Sequence, residues 1–142
     1  MKKLLALILA ATLLLACAIP AQAADSRKVE AAAVLYDLGL FQGTGTNADG
    51  TPNFSLDRAA KRAEGVTLLV RLLGIGEETL KNASDAPFSD VPGWAKPYVN
   101  FAYENDLTKG ISADKLGAND AVTAAQYLTF VLRVMGYVSG ED

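Results

Sequence analysis

The chain contains no histidine and a single cysteine, Cys17. Histidine is the commonest general base and the commonest metal ligand, so its absence removes the usual starting point for both kinds of site. No nucleophile motif and no pair of carboxylates placed across a cleft stands out in the rest of the sequence. We therefore expect a protein that is not an enzyme, with no catalytic residues, no metal site and no cofactor.

An excess of positive charge is also missing, because 13 basic residues face 16 acidic ones. Nucleic-acid binding depends on clusters of lysine and arginine that neutralise phosphates. The chain has no such run, so we expect no nucleic-acid partner.

One loop has some of the features of a calcium site. Asp49 and Gly50 fit the middle of an EF-hand loop, but the first and twelfth positions would then be Gly45 and Leu56. Neither of these residues offers the side-chain oxygen that calcium requires there. The pair Asp49-Gly50 instead predicts a turn.

The N-terminus has the pattern of a secretory signal peptide. Lys2 and Lys3 precede an apolar run over residues 4–19, and Ala21-Gln22-Ala23 follows as a small-x-small cleavage site. The run is shorter than the roughly 20 residues that cross a bilayer. We predict a signal peptide over residues 1–23, a secreted protein at the cell wall or cell surface, and no transmembrane segment in the mature chain.

Cys17 leaves an alternative open. Leu14-Leu15-Ala16-Cys17 resembles a lipobox, in which the cysteine is lipidated and becomes the mature N-terminus. The protein would then be a lipoprotein anchored at Cys17. Cleavage after Ala23 is the favoured route, and it leaves a mature chain without cysteine and therefore without disulfides.

Two internal correspondences indicate a repeat. Residues 61–74 align with residues 123–136 at an offset of 62, and Leu40 to Gly43 align with Leu107 to Gly110 at an offset of 67. The difference of five residues falls in the loop from Gly43 to Lys61, and loops tolerate such insertions. Each closing segment has apolar residues at helical spacing: Val66, Leu69, Val70 and Leu73 in the first, and Leu128, Val131, Leu132 and Met135 in the second.

The repeat predicts a mostly α fold with little or no sheet. We expect two helix-loop-helix copies, an N-terminally incomplete one over residues 24–82 and a second over residues 83–142. Helices are predicted over about 27–38 and 94–105, from near Asp57, and from Thr123 with Gln126 in a capping box. Gly74 and Gly136 are placed as C-caps. Because no single helix can bury its own apolar stripe, the copies should pack into one small bundle.

The motifs of the two copies resemble the S-layer homology family. Phe88-Ser89-Asp90-Val91, Trp94-Ala95, Leu107 and Gly110 are similar to the opening half of such a repeat. Lys61-Arg62-Ala63-Glu64 with Arg71-Leu72-Leu73-Gly74 is similar to the closing half. The resemblance implies a cell-surface module. In the family, three repeats usually form a pseudo-threefold bundle that binds secondary cell-wall polysaccharide, often through a pyruvylated sugar.

By the same resemblance, the ligand-binding residues are Arg62, Asp90, Trp94 and Gly110. Arginine offers a planar fork of donors to a carboxylate, and tryptophan offers a flat face to a sugar ring. The first copy has no opening motif, and Ala124 stands where the second copy would need its arginine. The chain can therefore supply one groove, between the two copies.

Each of these residues also has a structural interpretation. Trp94 could be a core or capping aromatic, Asp90 could cap the helix that follows it, and Arg62 could form an ordinary ion pair. Arg71 and Arg133 recur at one position of both copies, which indicates an architectural role against a neighbouring loop. The alternative function is an interaction protein whose degenerate repeats self-associate or pair with other surface proteins.

Overall fold

The computed structural model describes residues 21–137, in which five helices and one small hairpin are present. Cys17 and residues 1–20 of the predicted signal peptide lie outside the described residues. The elements are α1 (Ala21–Asp37), β1 (Gly45–Thr46), β2 (Pro52–Asn53), α2 (Arg62–Leu72), α3 (Glu77–Asn82), α4 (Lys96–Glu104) and α5 (Ala124–Val134). The prediction of a mostly helical chain with little sheet is confirmed.

The chain divides into two compact units after Leu56. The N-terminal unit contains α1 and the hairpin, and the C-terminal unit contains α2 to α5. The predicted repeat boundary lies elsewhere, between residues 82 and 83, and it stays a prediction. Helix α2, which closes the first repeat, packs in the C-terminal unit against α4 and α5 of the second.

The N-terminal unit is organised around a short antiparallel hairpin and three aromatic rings. Gly45 pairs with Asn53 and Thr46 with Pro52. The turn between them is closed by Asp49, whose Oδ1 accepts hydrogen bonds from Thr51 N at 3.0 Å and Thr51 Oγ1 at 2.6 Å. The predicted Asp49-Gly50 turn is thereby confirmed. The ring of Phe54 lies 6.0 Å from Tyr36 and 5.6 Å from Phe41, between ring centres.

The core of the C-terminal unit is apolar and draws on every helix of that unit. Helix α2 packs against α4 and α5, and α3 packs against α4. The buried side chains are Ala63, Val66, Leu69, Val70, Leu80, Phe88, Ala95, Val99, Ala102, Leu107, Leu116, Ala118 and Phe130. Burying such side chains contributes on the order of 1.5–3 kcal/mol for each large one, which stabilises the unit around the segments described below.

Helix α5 does not bury the stripe that its sequence predicts. Leu128, Leu132 and Met135 are 57%, 39% and 64% exposed. The helix instead turns a neighbouring face inward, with Phe130 in the core and Tyr127, Val131 and Val134 packed against the core. The prediction that this stripe is buried is wrong, because periodicity alone cannot distinguish two adjacent apolar faces of one helix.

The helix ends follow local chemistry closely. Thr123 Oγ1 accepts from Gln126 N, and Gln126 Oε1 accepts from Thr123 N at 3.0 Å, which confirms the predicted capping box. Gly74 and Gly136 follow α2 and α5 with φ of +66° and +85°, as predicted for C-caps. Three features differ from expectation: α1 begins at Ala21 and not near residue 27, α3 was not predicted, and α2 begins late.

Helix α2 begins at Arg62, five residues after the predicted start near Asp57. Asp57 lies in a turn and Arg58 in a bend, and Lys61 then forms an isolated bridge with Ala121 directly before the helix. Glu64 Oε2 then accepts from Lys61 N at 2.8 Å and marks the first turn. A tertiary pairing therefore sets this helix start, and the local sequence does not show it.

The backbone repeats with the offsets that the sequence predicts. Left-handed residues occur in the same order in both copies: Gly39, Gly43, Ser55 and Gly74 in the first, and Asp106, Gly110, Gly117 and Gly136 in the second. The first two pairs are 67 residues apart and the last two are 62 residues apart. The five additional residues therefore lie between Gly43 and Ser55, where the hairpin is, which confirms the predicted position of the insertion.

Candidate functional site

The extended segments that precede α2 and α5 lie side by side. Arg62 N donates to Asp120 O at 2.8 Å, and Ala63 N donates to Ala118 O at 3.1 Å. Val122 N donates to Ala60 O at 2.9 Å. The first N–H groups of a helix have no partner within the helix, so α2 satisfies two of them on the segment from Ala118 to Asp120. This pairing places Arg62 against that segment.

Arg62 is buried, yet part of its guanidinium has no partner. Arg62 is 8% exposed, and its Nε–H donates no hydrogen bond within residues 21–137. Arg62 takes part in neither of the ion pairs Arg58–Glu64 and Lys81–Glu77. The ordinary ion pair considered for Arg62 is therefore absent from the described chain. A buried cation without an anion is unfavourable, which leaves this site able to gain from an acidic ligand.

Asp90 holds the neighbouring loop. Its carboxylate accepts from Leu116 N at 2.8 Å, and from Gly117 N and Ala118 N at 2.9 Å each. Partial burial opposes ionisation, but the backbone donors outweigh it and lower the pKa of Asp90 below its ordinary value. The interpretation of Asp90 as a cap of the next helix is wrong, because α4 begins after Ala95 without a side-chain cap.

Ala118 links the two predicted binding residues. Its N–H donates to the Asp90 carboxylate, and its carbonyl accepts from Ala63 N, the residue after Arg62. The structure thus brings Arg62 and Asp90 to opposite sides of one short segment. Asp90 positions this segment, and both of its oxygens are already engaged by backbone donors.

Gly110 is required by packing around Phe88. Its φ is +72°, and a Cβ at this position would lie 2.5 Å from Lys115 O and 2.5 Å from Phe88 Cε1. Phe88 is itself buried and packs edge-on against Tyr103, with 5.2 Å between ring centres. Gly110 therefore lies between Phe88 of the opening motif and the loop that Asp90 holds. A larger residue at this position would displace Phe88 or the backbone at Lys115.

Trp94 lies on the surface, in the turn that leads into α4. It is 54% exposed, whereas its neighbour Ala95 is completely buried at 0%. The interpretation of Trp94 as a core aromatic is wrong. No hydrogen bond or ring contact in the described chain joins Trp94 to Arg62, so the backbone of the Asp90–Ala95 turn positions it. An exposed indole can stack on a sugar ring.

The recurring arginines are architectural in different ways. Arg133 donates to Leu107 O at 3.3 Å, which confirms the predicted contact with a loop. Arg71 instead contacts a helix, because its guanidinium lies 5.0 Å from the centre of the Tyr98 ring on α4. This geometry is that of a cation–π contact, which stabilises the packing of α2 on α4.

Sequence reasoning overlooked a second cation beside Arg62. Lys61 Nζ donates to Asn119 Oδ1 at 3.0 Å, on the same segment that receives Arg62 N. Lys61 is exposed, and its charge adds to the positive potential at this edge of the unit. The sequence signal that could have identified Lys61 was its position directly before Arg62.

The comparison with protein families identifies the second half of the chain. The family model of the S-layer homology domain matches residues 87–128. Residues 87–128 form an S-layer homology domain. This S-layer homology domain includes Asp90, Trp94 and Gly110, whereas Arg62 lies before it and reaches it through the pairing with Asp120.

The relatives are proteins of bacterial surfaces. The chain is 36% identical over 117 residues to a cell surface protein of Thermoanaerobacter kivui, which covers 80% of this chain and 15% of that protein. It is 31% identical over 148 aligned residues to a surface layer protein of Brevibacillus choshinensis, covering 96% of this chain and 13% of that protein. Together with the S-layer homology domain, these relatives support a cell-surface localisation.

A further relative is named as an enzyme. An endoglucanase of a Bacillus species is 27% identical over 107 residues, which covers 75% of this chain and 10% of that protein. The chain thus spans a small part of each of these relatives. No solved structure matches it. Among the described residues, no helix has both the length and the hydropathy of a membrane span.

Proposed function

We propose that this chain is a non-catalytic cell-surface module that binds secondary cell-wall polysaccharide through one groove between its two repeats. The observation that carries the proposal is the buried Arg62 guanidinium, whose Nε has no partner in the described chain. An acidic substituent of the polymer, such as a pyruvylated sugar, would give the Arg62 guanidinium an anionic partner. The S-layer homology domain supports this class of ligand.

The roles of the four site residues differ in this proposal. Arg62 binds the anionic group, with Lys61 adding charge at the same edge. Trp94 offers its exposed face to a sugar ring. Asp90 and Gly110 act through the loop: Asp90 fixes the N–H groups of residues 116–118, and Gly110 allows Phe88 to pack beneath it.

Catalysis is not part of the proposal. The similarity to an endoglucanase extends over 10% of that protein. The name describes the whole relative, and this chain covers a small part of it. The groups that the structure brings together near Arg62 include backbone carbonyls, backbone amides, the Lys61–Asn119 contact and one carboxylate that accepts three hydrogen bonds. Such a set is suited to binding.

The test is sedimentation of the purified mature protein with cell walls of the producing bacterium. We expect the protein to pellet with walls that retain their secondary polymer and to stay in solution with walls from which the polymer has been extracted. Trp94→Ala should weaken this binding about tenfold, which corresponds to about 1.4 kcal/mol. Because Trp94 is exposed, this variant should keep the fold of the wild type.

Arg62 is tested by a conservative change. Arg62→Lys retains the charge but loses the planar fork, and we expect it to weaken binding about tenfold as well. Leu72→Ala is the matched control, since Leu72 is 52% exposed on the same helix and outside the site. A wild-type protein that does not pellet with intact walls, or variants that pellet like the control, would overturn the proposal.

A further inference from the structure

Helix α2 carries a second buried polar atom that makes no hydrogen bond. Thr67 is 3% exposed, and its Oγ1 has no hydrogen-bond partner within residues 21–137. The same holds for Arg62 Nε, five residues earlier in the helix. Buried polar groups in folded proteins are nearly always hydrogen-bonded. Two such atoms within about one and a half turns of one helix therefore require a physical explanation.

The second repeat shows how a threonine at this position is satisfied by its own helix. Thr129 of α5 stands 62 residues after Thr67, at the equivalent position, and it is exposed. Its Oγ1 donates to Ala125 O at 3.0 Å. The corresponding bond from Thr67 to Ala63 O is not formed, although helical geometry offers it. The Thr67 hydroxyl is therefore directed away from the carbonyls of its own helix.

The side of α2 that carries Thr67 is fixed at its first end by the loop that Asp90 holds. Ala63, Thr67 and Arg71 follow each other at intervals of four residues and share one side of the helix. Ala63 N donates to Ala118 O at 3.1 Å. Ala118 N in turn donates to the Asp90 carboxylate at 2.9 Å. The beginning of this side is thus tied to the beginning of the opening motif.

The other end of the same side is fixed by α4. The Arg71 guanidinium lies 5.0 Å from the centre of the Tyr98 ring. The two ends of the line on α2 are therefore tied to the two ends of residues 90–98. Because Thr67 lies midway along this line, it faces the middle of that segment, which is Trp94-Ala95.

Burial of the neighbouring residues agrees with this placement. Ala95 is 0% exposed and belongs to the same buried cluster as Val66, which directly precedes Thr67. Trp94 leaves the same turn towards the surface, where it is 54% exposed. This arrangement places the Thr67 hydroxyl at the base of the groove, between Arg62 and Trp94.

A hydroxyl at this place complements the other groups of the site. The guanidinium of Arg62 donates hydrogen bonds and accepts none, whereas a threonine hydroxyl both donates and accepts. The indole of Trp94 adds an apolar face. A sugar with an acidic substituent carries the matching set, namely an anion, ring hydroxyls and an apolar C–H face.

We propose that Thr67 is a further ligand-binding residue of this site, which rests on the proposed binding of wall polymer. Its hydroxyl forms a hydrogen bond with a hydroxyl of the same sugar whose acidic substituent Arg62 binds. Both atoms are covered by protein in this structure, so binding includes a movement of the side chains around them. Such rotamer changes are common when partners bind. The ligand is thus an acidic sugar that retains a free hydroxyl near its acidic group.

The test measures sedimentation at a series of cell-wall concentrations, which gives an apparent Kd for each variant. Thr67→Val removes the hydroxyl and keeps the branched shape, and we expect its binding to be about tenfold weaker than that of the wild type. The free energy of unfolding in urea should stay equal or rise, because a methyl group replaces a buried hydroxyl that has no partner. A hydroxyl that served only the fold would give the opposite change in stability.

Two further variants isolate the hydroxyl from the packing of the side chain. Thr67→Ser keeps the hydroxyl and removes the methyl group, so it should bind within about threefold of the wild type even if lost packing lowers its stability. Thr129→Val changes the equivalent exposed threonine of α5 and should bind like the wild type. Circular dichroism checks that each variant retains the helical content of the wild type.

The outcomes separate this inference from the proposed function. If Trp94→Ala binds weakly but Thr67→Val binds like Thr129→Val, the role of Thr67 is overturned and wall binding stands. A destabilised Thr67→Val, or equal weakening in Thr67→Ser and Thr67→Val, would assign the side chain to the fold and also overturn its role. A wild type that does not pellet with intact walls would overturn both proposals.

Discussion

At the scale of single residues, Asp90 and Arg62 differ in how far the hydrogen-bonding capacity of their charged groups is satisfied within the protein. The Asp90 carboxylate accepts three backbone hydrogen bonds, whereas the Nε of Arg62 has no partner in the described chain. A satisfied charge stabilises the fold, and an unsatisfied buried one is stabilised by a ligand. Asp90 therefore has a structural role, whereas Arg62 is the residue that we propose to bind the ligand.

Replacing Asp90 tests its structural role. Asp90→Asn removes the charge from three hydrogen bonds and leaves at least one backbone N–H facing the amide group. We expect the free energy of unfolding to fall by about 1–3 kcal/mol, measured by urea denaturation at pH 7. Asp57→Asn, an exposed acid with no hydrogen bond in the described chain, should change it little. Equal stability of the two variants would contradict the role assigned to Asp90.

The lowered pKa of Asp90 has a consequence for acid stability. Backbone donors hold this pKa below its ordinary value in the folded protein. Its stabilising contribution is then complete above the unfolded-state pKa, about 3.9, and is lost as the pH falls through the folded-state pKa. We expect wild-type stability to decline more steeply than that of Asp90→Asn as the pH falls below about 4. Parallel curves in urea titrations at successive pH values would count against this explanation.

Gly110 and Gly74 allow the steric cost of an added Cβ to be separated from the cost of a positive φ. In Gly110→Ala the new Cβ would clash with Phe88 and Lys115 O, and the residue would also keep the unfavourable φ of +72°. In Gly74→Ala the φ is +66°, but no heavy atom lies within 4 Å of the new Cβ. We expect a loss of about 1–2 kcal/mol for Gly74→Ala and about 1–3 kcal/mol more for Gly110→Ala, by thermal or urea unfolding. Similar losses would show that the contact with Phe88 relaxes easily.

At the scale of elements, helix starts in the C-terminal unit combine local caps with tertiary pairing. Helix α5 has a reciprocal capping box between Thr123 and Gln126. Helix α2 has the glutamate half of such a box, in which Glu64 accepts from Lys61 N. Arg58 also bonds Glu64, and this contact lowers the pKa of the Glu64 carboxyl. The first turn of α2 is thus held by groups outside the helix.

The cap of α5 can be tested against a threonine within the same helix. Thr123→Ala removes the acceptor for Gln126 N, and we expect stability to fall by about 1 kcal/mol. Thr129→Ala removes a bond to the Ala125 carbonyl that competes with the helix, so it should be neutral or slightly stabilising. Thermal unfolding monitored by circular dichroism measures both. A loss for Thr129→Ala as large as for Thr123→Ala would contradict this assignment.

At the scale of the whole molecule, the repeats and the compact units do not coincide. Helix α2 belongs to the first repeat by sequence, but it packs in the C-terminal unit against helices of the second. Arg62 accordingly lies outside residues 87–128, the matched S-layer homology domain, yet contacts its loop through Asp120. The proposed groove is therefore built from both repeats within one compact unit.

The mature N-terminus is a property of the whole chain that intact-mass spectrometry can measure. We expect secreted protein to begin at Ala24, which removes the first three residues of α1 as described. Lipidation would instead give a heavier species that begins at Cys17 and partitions into membranes. Detection of that species would replace the signal-peptide prediction with the lipoprotein alternative.

Much of the local structure could be predicted because it depends on residues close in sequence. The capping box at Thr123, the glycine ends at Gly74 and Gly136, and the Asp49-Gly50 turn each require only a few neighbouring groups. The difference between the offsets of 62 and 67 placed five additional residues in the loop from Gly43 to Lys61, and the hairpin lies in this loop. By contrast, the late start of α2 depends on Ala121, which lies 60 residues further along the chain.

The sequence by itself determined the mostly helical class, the capping box of α5 and the glycine ends of α2 and α5. Only the tertiary structure decided that Asp90 holds residues 116–118, that Trp94 is exposed, and that Leu128 and Leu132 of α5 are exposed while Val66 and Val70 of α2 are buried. Hydrogen bonds within a turn depend on local dihedral angles. Burial depends on which distant surface covers a face, and two similar apolar stripes can therefore have opposite environments.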